Sequence, residues 1–184
     1  LVKGAQEYGE KGLFLSLEEP PQQLINNARL FNWDILTLQK EEKLIIKYLP
    51  LPKMEIDETI VTLTEWVKSL GASRLVIDSV DIFLSRLDNT AMLYEKFFVL
   101  VSELNKLKCT TLLIMPSWQT QDSRKVDVLH SVVQGTILLR SELIQNRRVR
   151  QLEIYKMRGV NHAMGNHLFE INPSGIRVFP RLGG

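Results

Sequence analysis

Apolar residues along the chain come in short blocks, separated by longer amphipathic stretches. Gly12–Leu17, Lys43–Tyr48, Arg74–Asp78 and Thr110–Met115 read as strands. The third is the sharpest: Leu75-Val76-Ile77 reads as a strand buried on both faces, at the centre of a parallel sheet, and Asp78 and Ser79 follow at once. Between these blocks the apolar positions recur at helical spacing. Leu24, Ile25, Ala28 and Phe31 make one stripe, in a helix over Gln22–Phe31 opened by Pro20-Pro21. Ile56, Ile60, Leu63 and Val67 make another, in a helix over Ile56–Leu70 that stops near Gly71. Leu93, Phe97, Leu100, Val101 and Leu104 mark a third over Thr90–Leu107. Repeated strand–helix–strand units argue for a mainly parallel sheet with helices on both faces.

The pattern changes after Pro116. Ser117–Val128 reads as a polar loop. Thr136–Arg140 and Gln151–Met157 flank a charged bend, Ser141–Arg150, and read as an antiparallel hairpin. His167–Ile171 and Ile176–Phe179 surround Asn172-Pro173-Ser174-Gly175, a turn sequence. The expected fold is therefore α/β, doubly wound over its first two thirds, with an antiparallel β-meander extending the sheet. No repeat, low-complexity segment or linker divides residues 1–184, so one domain is expected.

Composition changes this picture little. A chain of 184 residues, 45% apolar and 24% charged, has room for a sizeable core and buries about 70% of its unfolded surface. A net charge of +2 excludes a broad polybasic footprint while allowing a local basic patch. No apolar run approaches the ~18 residues of a membrane helix, and no signal peptide is visible. The single Cys109 has no internal disulfide partner and reads as a small buried hydrophobe, in keeping with a reducing, cytoplasmic setting. Leu1–Gly9 reads as the last turns of a helix ending at Gly9, which predicts a segment upstream of it.

The candidate chemistry lies at strand ends, where an open α/β sheet keeps its ligands. Asp78 followed by Ser79 is a Walker B arrangement, a carboxylate placed to hold Mg²⁺ directly or through water; the same Asp equally suits a helix cap. Glu18 and Glu19 follow the first strand. They either decorate a helix N-terminus with acids or supply a base that positions water. Neighbours on a strand point to opposite faces, so only one of the two is expected to face a ligand. Lys156 and Arg158, two residues apart, share one side of a strand and can meet one phosphate chain, or can be a solvated basic end. Ser117, Gln119 and Thr120 can sense a γ-phosphate or can be plain loop polarity. Arg147, Arg148 and Arg150 fit a solvated turn, with a nucleic-acid or protein contact as the alternative.

His130, His162 and His167 show no metal-ligand spacing, no Ser or Cys sits in a nucleophile signature, and G-x-G-x-x-G is absent. So is G-x-x-x-x-G-K-S/T; Gly9-Glu10-Lys11-Gly12 does not supply it.

Several of these blocks together resemble the KaiC-type ATPases of the RecA superfamily. They are Gly12–Pro20 with its Glu-Glu-Pro, Gln23–Arg29, Phe31-Asn32-Trp33-Asp34, Arg74–Ser79, Thr136–Leu139, Lys156–His162, Phe169-Glu170-Ile171 and Gly175–Pro180. The Glu-Glu-Pro block and the Lys-Met-Arg-Gly…His block are the specific ones. The resemblance implies a RecA-type core and hexameric rings with ATP at the subunit interfaces. It implies that Glu18 and Glu19 match the catalytic acids, that Asp78 matches the Mg²⁺-site carboxylate, and that Lys156 and Arg158, with His162 nearby, reach ATP held by the neighbouring subunit. The family's Walker A motif would stand just upstream of Leu1. A DNA-binding recombinase relative and a non-catalytic RecA-fold interaction or signalling module are the competing readings. The five retained groups Glu18, Glu19, Asp78, Lys156 and Arg158 argue against the second.

Overall fold

The computed structural model describes residues 1–50, 55–87, 89–116 and 123–181. Contacts divide it into two compact units, Leu1–Val132 and Val133–Gly184.

The first unit is a four-stranded parallel sheet in the order β2-β1-β3-β4. Its strands are β1 (Gly12–Ser16), β2 (Leu44–Tyr48), β3 (Arg74–Asp78) and β4 (Thr110–Ile114). Leu13, Leu15, Leu75 and Ile77 point to one side, where they pack with α4 (Ile56–Leu70) and α6 (Thr90–Lys106) through Leu63, Val67, Leu93, Phe97 and Leu100. Both helices follow the predicted stripes. Gly71 ends α4 in the left-handed region at φ 66°, a conformation that costs glycine little. A second cluster joins α1 (Val2–Glu7), α2 (Pro21–Arg29) and α3 (Ile35–Lys40) to β2 through Val2, Ala5, Ile25, Ile35, Leu38 and Leu44.

Three helices depart from the expected pattern. α3 is short and was hidden by its length; Asp34 caps it, accepting the Thr37 N–H at 3.1 Å and the Thr37 hydroxyl at 2.7 Å. α5 (Asp81–Arg86) begins almost directly after β3. α7 (Ser123–Val132) takes up the second half of the expected polar loop, because Val126, Leu129 and Val132 recur every third residue and are all buried. Cys109 is buried as expected, and burial pushes its thiol up from the ordinary value.

The second unit is an antiparallel meander, β5 (Gly135–Ile144), β6 (Arg147–Met157), β7 (Asn166–Asn172) and β8 (Gly175–Phe179), in sequence order. Among the described residues it is a sheet of its own, not a continuation of the parallel one. The expected charged bend is smaller than its polarity suggests. The strands run on to a two-residue turn at Gln145 and Asn146, both at positive φ (46° and 62°), the backbone of a type I′ hairpin.

Candidate active site

The site is built by register. β1 and β3 pair with Ser16 opposite Asp78, so both strands leave the sheet at the same edge. The Leu17 N–H donates to the Asp78 carbonyl at 2.7 Å and carries the pairing one residue further. The chain then turns sharply. The buried Ser16 hydroxyl donates to the Glu19 carbonyl at 2.7 Å and accepts the Glu19 N–H at 3.0 Å, closing residues 16–19 into a corner. Pro21 starts α2 immediately after it.

Glu18 and Glu19 therefore stand on a corner and not on a strand, so the alternation of strand side chains does not apply to them. The Ser79 hydroxyl stands within hydrogen-bond distance of both Glu18 Oε1, at 2.5 Å, and the Asp81 carboxylate. The half-buried Asp78 carboxyl is held above its ordinary range. Burial is the first cause, followed by the negative charges of Glu18, Glu19 and Asp81. Three carboxylates thus act on Asp78. Asp81 was missed in the sequence; the signal for it was an acid three residues after Asp78 at the start of a helix. The Asp78–Ser79 peptide is cis.

This donor set fits a hard divalent cation. Mg²⁺ takes oxygen ligands and is commonly held by one or two carboxylates together with substrate phosphates. A cation beside a half-buried carboxylate with three acids nearby would offset their mutual repulsion. Among the described residues no three His, Cys, Asp or Glu side chains form a metal cage by themselves. Two surface depressions lie elsewhere, one beside Ile25 and Trp33 and the other beside Asp57 and Lys96, and neither includes a candidate residue.

The basic candidates all belong to the second unit. Lys156 lies near the end of β6 and its Nζ donates to the Val133 carbonyl at 3.0 Å. Its ammonium is held below the ordinary value, first by burial and then by the positive charge of Arg158. The two cations are thus neighbours, although Arg158 has left the strand: β6 ends at Met157, and the Arg158 N–H donates to the Gln134 carbonyl at 2.9 Å. His162 sits in the following loop with Nδ1 3.3 Å from the Val160 carbonyl. Arg147, Arg148 and Arg150 are exposed on the β5–β6 hairpin. Ser117, Gln119 and Thr120 lie outside the described residues.

Comparison with known proteins places the chain in a family. The family model described as "ATPase: KaiC" matches residues 1–183. The circadian clock oscillator protein KaiC of Synechococcus elongatus is 32% identical over 98% of this chain, and the match covers 36% of that protein. A Thermotoga maritima protein described as UPF0273 is 31% identical over 97% of this chain and 79% of its own length. The crystal structure of a KaiC-like protein from Pyrococcus horikoshii superposes with a TM-score of 0.84 at 31% identity, covering 97% of this chain and 80% of that one. The chain spans about a third of the length of the KaiC clock proteins it matches. With an α/β RecA-like core, a parallel sheet and an antiparallel β-extension, the chain belongs to the KaiC family of RecA-like ATPases.

Proposed function

We propose that this chain supplies the carboxylate part of an ATP-hydrolysing site, in a ring whose subunits share ATP across their interfaces. The observation that supports it is the gathering of Glu18, Glu19, Asp78 and Ser79 just past two adjacent strand ends, where burial and then repulsion lift Asp78. Asp78, aided by Ser79, would hold Mg²⁺. The cation, when bound, neutralises charge on the transferring phosphoryl group. Glu18 and Glu19 orient the attacking water and take its proton. The corner set by Ser16 fixes where both carboxylates start, so little reorientation is left for the reaction. Lys156, Arg158 and His162 would face ATP of the next subunit, where two cations stabilise the developing negative charge. Ser117 would sense the γ-phosphate.

The test is phosphate release by the full-length protein with Glu18→Gln and Glu19→Gln, alone and together. The double variant is expected to bind ATP as before and to lose turnover by about 10²–10⁴-fold, the usual worth of a general base. Phosphate release at the wild-type rate would remove both acids from the mechanism and bring the non-catalytic reading forward.

A further inference from the structure

The loop that follows Arg158 and carries His162 is joined to its sheet by a residue that neither the family match nor the sequence pattern singles out. His167 lies on β7, opposite Leu152 of β6, and is 4% exposed. Its two ring nitrogens have different partners. Nδ1 is 2.9 Å from the backbone N of Arg181, just past β8, and Nε2 is 3.2 Å from the Ala163 carbonyl. A backbone N–H can only donate, so Nδ1 must accept. Nε2 then carries the ring proton and donates to Ala163. One neutral tautomer satisfies both partners, and no other does.

Ala163 belongs to the loop that follows β6. Gly159 and Gly165 bracket it, at φ +73° and +84°, and most of its residues are exposed, Met164 at 84%. Two positive-φ glycines with open space around them leave the segment between them free to pivot unless something holds it.

We propose that His167 is a positioning residue. Its Nε2–H holds the Gly159–Gly165 loop, and with it His162, in the place from which that group meets the phosphates, while its Nδ1 separately pins the chain after β8. This rests on the proposed ATPase reading for its effect on turnover, but the two ties exist independently of it. A polar side chain with both nitrogens committed in opposite directions is more than packing requires, since a Leu would fill the volume. The two ties can also be separated chemically. The amide oxygen of Asn stands near the position of Nδ1, and the amide nitrogen of Gln stands near that of Nε2.

The experiment uses the full-length protein with His167→Asn and His167→Gln. His167→Gln keeps the donor to Ala163 and is expected to retain kcat within about twofold, while hydrogen exchange at the Arg181 amide accelerates. His167→Asn keeps Arg181 protected and is expected to lower kcat about tenfold with KM little changed, as a misplaced catalytic group does. Tryptic cleavage after Arg158, at the mouth of the loop, is expected to quicken in the Asn variant and not in the Gln variant. Equal loss of kcat in both variants, or equal cleavage in both, would reduce His167 to a packing residue and overturn the assignment. Should the wild-type protein release no phosphate, the ATPase reading fails, while exchange at Arg181 and cleavage after Arg158 still decide whether the two ties exist.

Discussion

Ile77 on β3 has no exposed surface, whereas Leu139 on β5 keeps 58% of its surface open. Both are aliphatic and both sit in four-stranded sheets. In the parallel unit β1 and β3 are covered on both faces, and their apolar runs are almost continuous. In the meander each strand alternates or is open, and Ile137, Leu143, Leu168 and Ile176 are all about half exposed or more. In the first sheet the pairing of β1 with β3 fixes the backbone positions at the site. The second carries its charged groups at a strand end and in a loop, where placement depends on a few side-chain ties. The acids are thus held by register and the cations by hydrogen bonds.

That contrast can be broken most directly at the two aliphatic positions. Ile77→Ala is expected to cost about 3–4 kcal/mol, the usual penalty for emptying a full core site. Leu139→Ala is expected to cost less than about 1 kcal/mol. Urea unfolding of both variants measures the difference, and equal losses would show that the two sheets are equally buried in solution.

A smaller effect with the opposite sign is expected at Asp78. Its folded pKa is raised, so the folded state binds protons more tightly than the unfolded chain. The associated stability is fully present below the unfolded value near 3.9 and is lost as pH rises through the folded value. At neutral pH the ionised carboxylate therefore works against the fold. Asp78→Asn is expected to abolish turnover yet raise the nucleotide-free melting temperature by about 2 °C, a modest shift because the site is partly solvated. A lower melting temperature would mean that Asp78 is structurally required.

The smallest effect concerns the exposed hairpin. Replacing Arg147, Arg148 and Arg150 by Gln is expected to leave stability and phosphate release within error, as surface substitutions usually do. Salt-sensitive binding of single-stranded DNA that vanishes in this variant would sharpen the contrast differently, by giving the second sheet a nucleic-acid role.

Much of this was legible in advance, for identifiable reasons. β1, β3, α4 and α6 are long or purely apolar enough that burial decides them, and their bounds fall within a residue or two of the pattern. Asp78, Glu18 and Glu19 were legible as candidates because Asp78 ends such a strand and the two glutamates closely follow one. The corner at Ser16–Glu19 was not, since a hydroxyl bonding its own backbone three residues on leaves no periodic trace. α3 was too short for periodicity to register, and polar residues on the outer side of α7 masked its buried stripe. His167 was legible only as a histidine without metal spacing. What it does depends on Ala163 and Arg181, which sequence does not place beside it.

The pairing of Ser16 with Asp78 also bears on how this chain can change length. Side chains alternate along a strand, so losing one residue between Leu75 and Ile77 would turn Asp78 to the other face and part it from Glu18 and Glu19, however conservative the residues that remain. One added residue in the exposed turn at Asn32 would leave the edge untouched. Insertions and deletions should therefore be tolerated between the elements on one side of the sheet and forbidden within its two central strands, which makes strand length, more than residue identity, the quantity that the site constrains most tightly.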